Sequence, residues 1–136
     1  MIFELTEHDL DNVIKLGTEL NYNFPNLYTY ESLNLGVNKT FILKNNNTLI
    51  GFIHVQDLDD DVSIINVIVK KEFRHLGYGD KLIKYVIEKY INKRIILEVS
   101  NDNKSAINLY IKNNFAQIGI RKGYYDGIDA IVMERK

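Results

Sequence analysis

The chain contains no cysteine, which excludes disulfides, thiolate metal ligands and a cysteine nucleophile together. Its only histidines, His8, His54 and His75, lie far apart in sequence, so a metal site has little to build on. No apolar run approaches the roughly 20 residues that a membrane-spanning helix needs. The acidic start (Glu4, Glu7, Asp9) is not that of a signal peptide. A net charge of −1 offers no basic face for nucleic acid. There is no linker, repeat or low-complexity tract. These exclusions leave one globular domain, residues 1–136, with the cytoplasm as its expected compartment.

What is present is concentrated between Val67 and Tyr85: a β-branched strand, a basic turn, a Gly-x-Gly and an amphipathic helix. Gly77 and Gly79 lack Cβ atoms, so the turn can adopt dihedrals closed to other residues and let a ligand approach the main chain. A helix starting near Gly79 leaves its first N–H groups unpaired, with the positive end of the helix dipole behind them. Lys71 and Arg74 add positive charge. The arrangement suits a pyrophosphate.

The remaining elements follow from periodicity and turn chemistry. Ile2–Leu5 alternates as a short strand, and Thr6-x-x-Asp9 precedes Leu10, Val13, Ile14 and Leu16 at helical spacing. The aromatic stretch from Asn21 to Leu35, with Tyr22, Phe24, Tyr28 and Tyr30 around the sole proline, Pro25, reads as a loop and a short helix. Two strands flank Asn45-Asn46-Asn47, and the acidic turn Asp57–Asp61 leads into the strand Val62–Val69. Leu82, Ile83, Val86, Ile87 and Tyr90 form one stripe of the helix Gly79–Tyr90. Arg94–Val99 is a strand. Asn101, Asp102 and Asn103 are candidate caps for a helix holding Ala106, Leu109 and Tyr110, which Asn113-Asn114 can end in a left-handed conformation. Phe115–Ile120 and Ile128–Glu134 are the closing strands.

Three phosphate loops compete for the glycine turn. A P-loop needs Gly-Lys-Ser/Thr, but Gly79 is followed by Asp80-Lys81-Leu82. The dinucleotide fingerprint needs a third glycine where Leu82 stands. What remains is Arg74-His75-Leu76-Gly77-Tyr78-Gly79, which resembles the acyl-CoA signature of the GNAT superfamily of N-acetyltransferases. Downstream, Leu97-Glu98-Val99, Asn103, Ala106…Leu109-Tyr110 and Asn114-Phe115 are similar to that family's second motif. The tail, Arg121-Lys122-Gly123-Tyr124-Tyr125…Asp129–Met133, resembles protein N-terminal acetyltransferases, above all the branch acting on the N-terminal alanine of a ribosomal protein. The sequence departs from the pattern at Lys70-Lys71, where a proline is usual, at Asp80, at Asn114 and in having no N-terminal tryptophan.

The resemblance implies a mixed α/β fold. Its central twisted sheet has about seven strands, splayed where a thioester sits and flanked by about four helices. It implies acetyl-CoA as co-substrate, an amine as acceptor and no metal. Without cysteine, the acceptor attacks the thioester directly. By the same resemblance, the backbone of Val67, Ile68 and Val69 pairs with the pantetheine arm, and an N–H near Val67 polarises the carbonyl. Residues Arg74, His75, Leu76, Gly77, Tyr78, Gly79 and Asp80 surround the pyrophosphate. Asn103 reaches the pantetheine, Glu98 is the general base, Tyr110 protonates the departing thiolate, and Tyr124 and Tyr125 bind the acceptor backbone.

Each role has a plainer counterpart. Glu98 can be a salt-bridged surface carboxylate, with Arg94 as partner, and Tyr110 can be core packing beside Ala106. Tyr124-Tyr125 can be a strand-end aromatic pair, and Arg74 can position the loop. His54, between Phe52 and Gln56 on one strand face, is an auxiliary base or a structural histidine. The acidic turn is a solvated hairpin tip or a lure for a cationic substrate. Protein or peptide α-amines are the favoured acceptors. A small amine such as a polyamine, amino acid or aminoglycoside is the rival, and a non-catalytic acyl-CoA-binding module is the other class. Oligomeric state is not legible in the sequence.

Overall fold

The computed structural model describes residues 1–20 and 30–136. In chain order the elements are β1 (Ile2–Glu4), a 3-10 turn (Glu7–Asp9), α1 (Leu10–Leu20), α2 (Tyr30–Asn34), β2 (Asn38–Asn45), β3 (Thr48–Leu58) and β4 (Asp61–Val69). A second 3-10 turn (Lys71–Phe73), α3 (Tyr78–Lys89), β5 (Arg94–Ser100), α4 (Lys104–Lys112), β6 (Ala116–Tyr125) and β7 (Ile128–Arg135) follow. The aromatic loop from Asn21 to Thr29 lies outside the described residues, and the short helix expected after it is α2. The order and the mixed α/β class are those the sequence leads to.

Local chemistry explains most boundaries. Asn46 (φ 57), Asp59 (φ 72) and Asp126 (φ 48) supply left-handed turn positions, which Asn and Asp tolerate better than most residues. Asp126-Gly127 places two successive residues at positive φ, the geometry of a tight hairpin. That turn carries β6 on to Tyr125, five residues beyond the expected end at Ile120. The start of α1 is built differently from a capping box. The Thr6 hydroxyl donates to the Asp9 carboxylate at 3.2 Å, and Asp9 also accepts from Lys44 on β2 at 2.9 Å.

The seven strands form one sheet in the order β1-β2-β3-β4-β5-β7-β6, antiparallel throughout except at β4–β5. Alternation assigns the two faces. Phe41, Ile53, Ile64, Leu97, Val99 and Met133 pack with Leu82, Ile83 and Val86 of α3 and with Tyr110 of α4. Ile42, Phe52 and Ile68 pack with Val13 and Leu16 of α1 and Leu33 of α2 on the other side.

The parallel seam is short. β4 and β5 pair only from Asp61↔Arg94 to Ile64↔Leu97. Beyond it, β4 continues beside β3 to Val69, and β5 continues beside β7 to Ser100. The fork coincides with a bulge, because His54 faces Asn66 and Val55 faces Ile64, leaving Ile65 as the extra residue of β4. A bulge bends its strand and raises the local twist, which swings β4 away from β5. At the closed end of the seam, Lys93 grips Asp57 at 2.6 Å, and Arg94 bridges Asp61 at 3.6 Å as well as Glu134. The acidic turn belongs to this closed end, away from the fork. No helix among the described residues is long and apolar enough to cross a membrane.

Candidate active site

The open arm of β4 offers main chain. Lys70 N–H donates to the Ile50 carbonyl, which makes Gly51↔Val69 a non-hydrogen-bonded pair of the β3–β4 ladder. By alternation, the N–H and C=O of Ile68 are engaged with Phe52, whereas those of Val67 and Val69 point into the fork. Arg74 takes one of these acceptors, its Nε donating to the Val69 carbonyl at 3.3 Å. Arg74 therefore anchors the basic turn to the strand.

The turn ends where α3 begins. Gly77 is the residue before the helix and has φ +88, a region that side chains with a Cβ avoid. The first N–H to return into the helix is that of Lys81, bonded to the Gly77 carbonyl at 3.1 Å. The preceding N–H groups are thus aimed outward, as at any helix start. His75 also holds a positive φ of 63, and Leu76 stands exposed beside it. Tyr78 packs edge-on to Phe73 with centroids 6.2 Å apart. A Cβ at Gly79 would meet only Leu109 Cδ2 at 3.5 Å and Val69 Cγ2 at 4.0 Å, ordinary contacts. The protein's own packing therefore leaves room for a small side chain at position 79.

Asp80 opens the helix but turns away from the loop. Its carboxylate accepts from Lys84 at 2.7 Å and from Asn113 Nδ2 at 2.9 Å, bonds that hold its pKa below the usual carboxylate range. At the head of α4, the Asn103 side-chain oxygen accepts from the Ala106 N–H at 3.2 Å, so it is committed to the helix cap.

On the other arm, Glu98 is the first residue of β5 beyond the seam, with its main chain paired to Val132 of β7. Leu97 and Val99 point into the α3–α4 core, which turns Glu98 to the α1–α2 face. Its partner is Arg121 of β6, at 3.3 Å, rather than Arg94. Arg121 lies over the Tyr124 ring at 4.9 Å, and the Tyr124 and Tyr125 rings meet at 5.0 Å in a T-shape. Tyr125 is raised in pKa first by partial burial and then by the charge of Glu98. Tyr110 approaches from the opposite face. Its ring packs against Phe115 at 5.7 Å, and burial pushes its phenol up to about 12, with Tyr125 a smaller influence.

Residues 5–115 match the Acetyltransferase (GNAT) family. The chain belongs to that family. It is also 30% identical to an N-alpha-acetyltransferase of Saccharolobus solfataricus, over 93% of this chain and 87% of the relative. The crystal structure of the ribosomal-protein alanine N-acetyltransferase from Escherichia coli superposes with a TM-score of 0.83 at 28% identity, covering 98% and 91% of the two chains. A spermidine N-acetyltransferase variant from Vibrio cholerae shares the fold at a TM-score of 0.82 with 17% identity, covering 98% and 93%. The chain is thus a GNAT N-acetyltransferase, of a family that uses acetyl-CoA.

Within this GNAT sheet, the sequence-named residues fall into two groups around one fork. Val67, Val69, Arg74 and the turn to Gly79 line the β4 side. Glu98, Tyr124 and Tyr125 gather on the β5 side, with Tyr110 beneath. His54 stands apart, 2% exposed within the sheet, with Nε2 3.0 Å from Asn38 Oδ1, and burial lowers its pKa to about 4. These are the surroundings of a structural histidine. A groove of about 650 Å³ between α1 and the second 3-10 turn touches Lys70 and Lys71 but contains neither Glu98 nor Tyr110. Two residues beside these groups carry no site role in the sequence analysis, Arg121 and Asn113. Arg121 was visible in the tail motif, but register irregularities at Gln117/Gly119 and Arg121/Tyr125 hide its alignment with Glu98.

Proposed function

We propose that this acetyltransferase passes acetyl directly from acetyl-CoA to the N-terminal α-amine of a protein or peptide. One observation carries the reading. Glu98 stands at the crotch of the fork, on the face shared with Arg121 and near the Tyr124–Tyr125 pair, while Tyr110 closes the opposite side. A proton acceptor and a proton donor thus flank the gap from its two sides.

The outward main chain of Val67 and Val69 binds an extended amide-bearing arm by strand-like pairing. The start of α3 and the Gly77 turn receive the diphosphate, with Lys71 and Arg74 nearby. Acetyl-CoA supplies the activated acetyl carbon and a thiolate leaving group. Glu98, directly or through water, takes the amine proton as the N–C bond forms and the C–S bond breaks. An α-amine, with a pKa near 7.7–8.0, needs only a modest base, whereas lysine, at about 10.4, needs a stronger one. Tyr110 stays protonated at neutral pH and donates to the departing thiolate. Tyr124 and Tyr125 frame the acceptor backbone at the mouth.

The small-amine reading drew on the acidic turn. Asp57 and Asp61 are paired there with Lys93 and Arg94 at the closed end of the seam, so the acidic turn that favoured that reading does not reach the fork. The test is CoA-thiol release with an Ala-starting ribosomal-type peptide, the same peptide blocked at its N-terminus but bearing lysine, and spermidine. Release with the free N-terminus alone is the expected result. Release with spermidine alone overturns it.

A further inference from the structure

We infer that Asn113 is a positioning residue that locks the helix carrying Tyr110 to the turn that holds the cofactor's diphosphate. Asn113 ends α4 and is only 6% exposed. Its Nδ2 donates to Asp80 Oδ1 at 2.9 Å and to the Leu109 carbonyl at 2.9 Å. Its Oδ1 accepts from Lys84 Nζ at 3.0 Å, its N–H donates to the Tyr110 carbonyl at 3.0 Å, and its own carbonyl accepts from Arg135 Nε at 3.2 Å. One residue therefore fastens the first turn of α3 and the last turn of α4 through its side chain, and the end of β7 through its main-chain carbonyl.

Asp80 completes the lock. It lies in the first turn of α3, three residues after Gly77; Lys84 holds its Oδ2, and Lys112 lies 3.8 Å from the Oδ1 that Asn113 bonds. Lys84 thus bonds both the carboxylate of Asp80 and the amide oxygen of Asn113. A buried amide with every polar group engaged resists displacement, because breaking one bond leaves a group unsatisfied. Proton donation needs placement within a fraction of an ångström. A rigid link from the diphosphate turn to the backbone at Tyr110 supplies that placement once the cofactor is seated. The inference rests on the role of Tyr110 given above.

The Lys84 bridge makes a charge-neutral swap possible. Asn113→Asp sets two carboxylates face to face. Adding Asp80→Asn restores an amide–carboxylate pair in reverse order, with Lys84 still bridging and the bond to the Leu109 carbonyl alone not replaced. In the full chain, Asn113→Asp is expected to lower kcat about tenfold while the acetyl-CoA Kd moves by less than about threefold, and the double variant to recover to within about threefold of wild type. Equal losses in kcat and affinity, or a double variant no better than Asn113→Asp, overturn the inference. Hydrogen exchange gives a readout independent of the acceptor. Acetyl-CoA should slow exchange at residues 109–114 in the wild type and not in Asp80→Ala, a variant that also serves if Asn113→Asp fails to fold. Equal protection in both overturns the lock. A wild type that binds acetyl-CoA and shows this protection, yet acetylates no free N-terminus, overturns the acceptor reading alone.

Discussion

Glu98 of β5 and Arg121 of β6 meet at 3.3 Å across the intervening strand β7. The two side chains share a face because Glu98 pairs with Val132 and Arg121 with Ala130, two residues apart on β7. Arg121 is 55% exposed, so water screens the pair and an arriving acceptor breaks it at little cost. Glu98→Gln keeps the shape of the site and removes the proton acceptor. It should lower kcat by about a hundredfold or more while calorimetry finds acetyl-CoA affinity unchanged. Unchanged turnover would remove Glu98 from the mechanism.

Gly77 and Gly79 separate two reasons for being glycine. Gly77→Val forces a β-branched residue to φ +88 and should weaken both stability and acetyl-CoA binding. Gly79→Ala meets nothing closer than 3.5 Å. Its melting temperature should stay near wild type, or rise slightly because Ala favours a helix, while acetyl-CoA affinity drops. An alanine variant with full affinity would show that no ligand approaches this backbone.

Burial pushes the Tyr110 phenol up from its usual value of 10.0 to about 12. Above pH 10 the unfolded chain loses this proton first, so the native state binds more protons and stability falls as pH rises toward 12. The stabilisation is complete below pH 10 and is worth at most about 3 kcal/mol for two pH units. Tyr110→Phe should flatten the alkaline decline in chemical denaturation and, at neutral pH, lower kcat with little change in acetyl-CoA affinity. An identical alkaline slope would contradict the buried phenol.

His54 predicts the opposite limb. Burial lowers its pKa from 6.5 to about 4, so on acidification the unfolded chain takes up a proton before the native state does. Stability from this group is complete above pH 6.5 and is lost as pH falls through 4, up to about 3 kcal/mol. Melts of wild type and His54→Gln between pH 7 and 4.5 should show a shallower acid slope in the variant. Retained turnover in that variant, at a temperature where it is folded, would match a structural rather than catalytic histidine.

Much of this was legible in the residues. Alternation and turn chemistry suffice for the strands, and the helical stripe Leu82-Ile83-Val86 for the face of α3. The register was harder. Ile64 and Ile65 are both apolar, so the slip in alternation that makes the bulge is invisible until the pairing with Val55 and Asn66 is known. Asp80 is a second example. Its charge opposite a phosphate loop was plain, but the direction of its carboxylate depends on Asn113, 33 positions later. Arg121 is a third, because two register irregularities separate its sequence position from its neighbours in space.

The fork has a bearing on solubility as well as on chemistry. A strand edge with unpaired N–H and C=O groups invites another strand, and proteins usually guard such edges with charge, proline or a covering helix. Here the open stretch of β4 lies inside the sheet, between β3 and the diverging β5, rather than at its rim. A second polypeptide strand would need the full spacing of about 4.8 Å on each side and room for its side chains. A slender arm bearing amides needs much less. By splitting the middle of the sheet, the chain offers the recognition groups of a β-edge at a place flanked by strands on both sides.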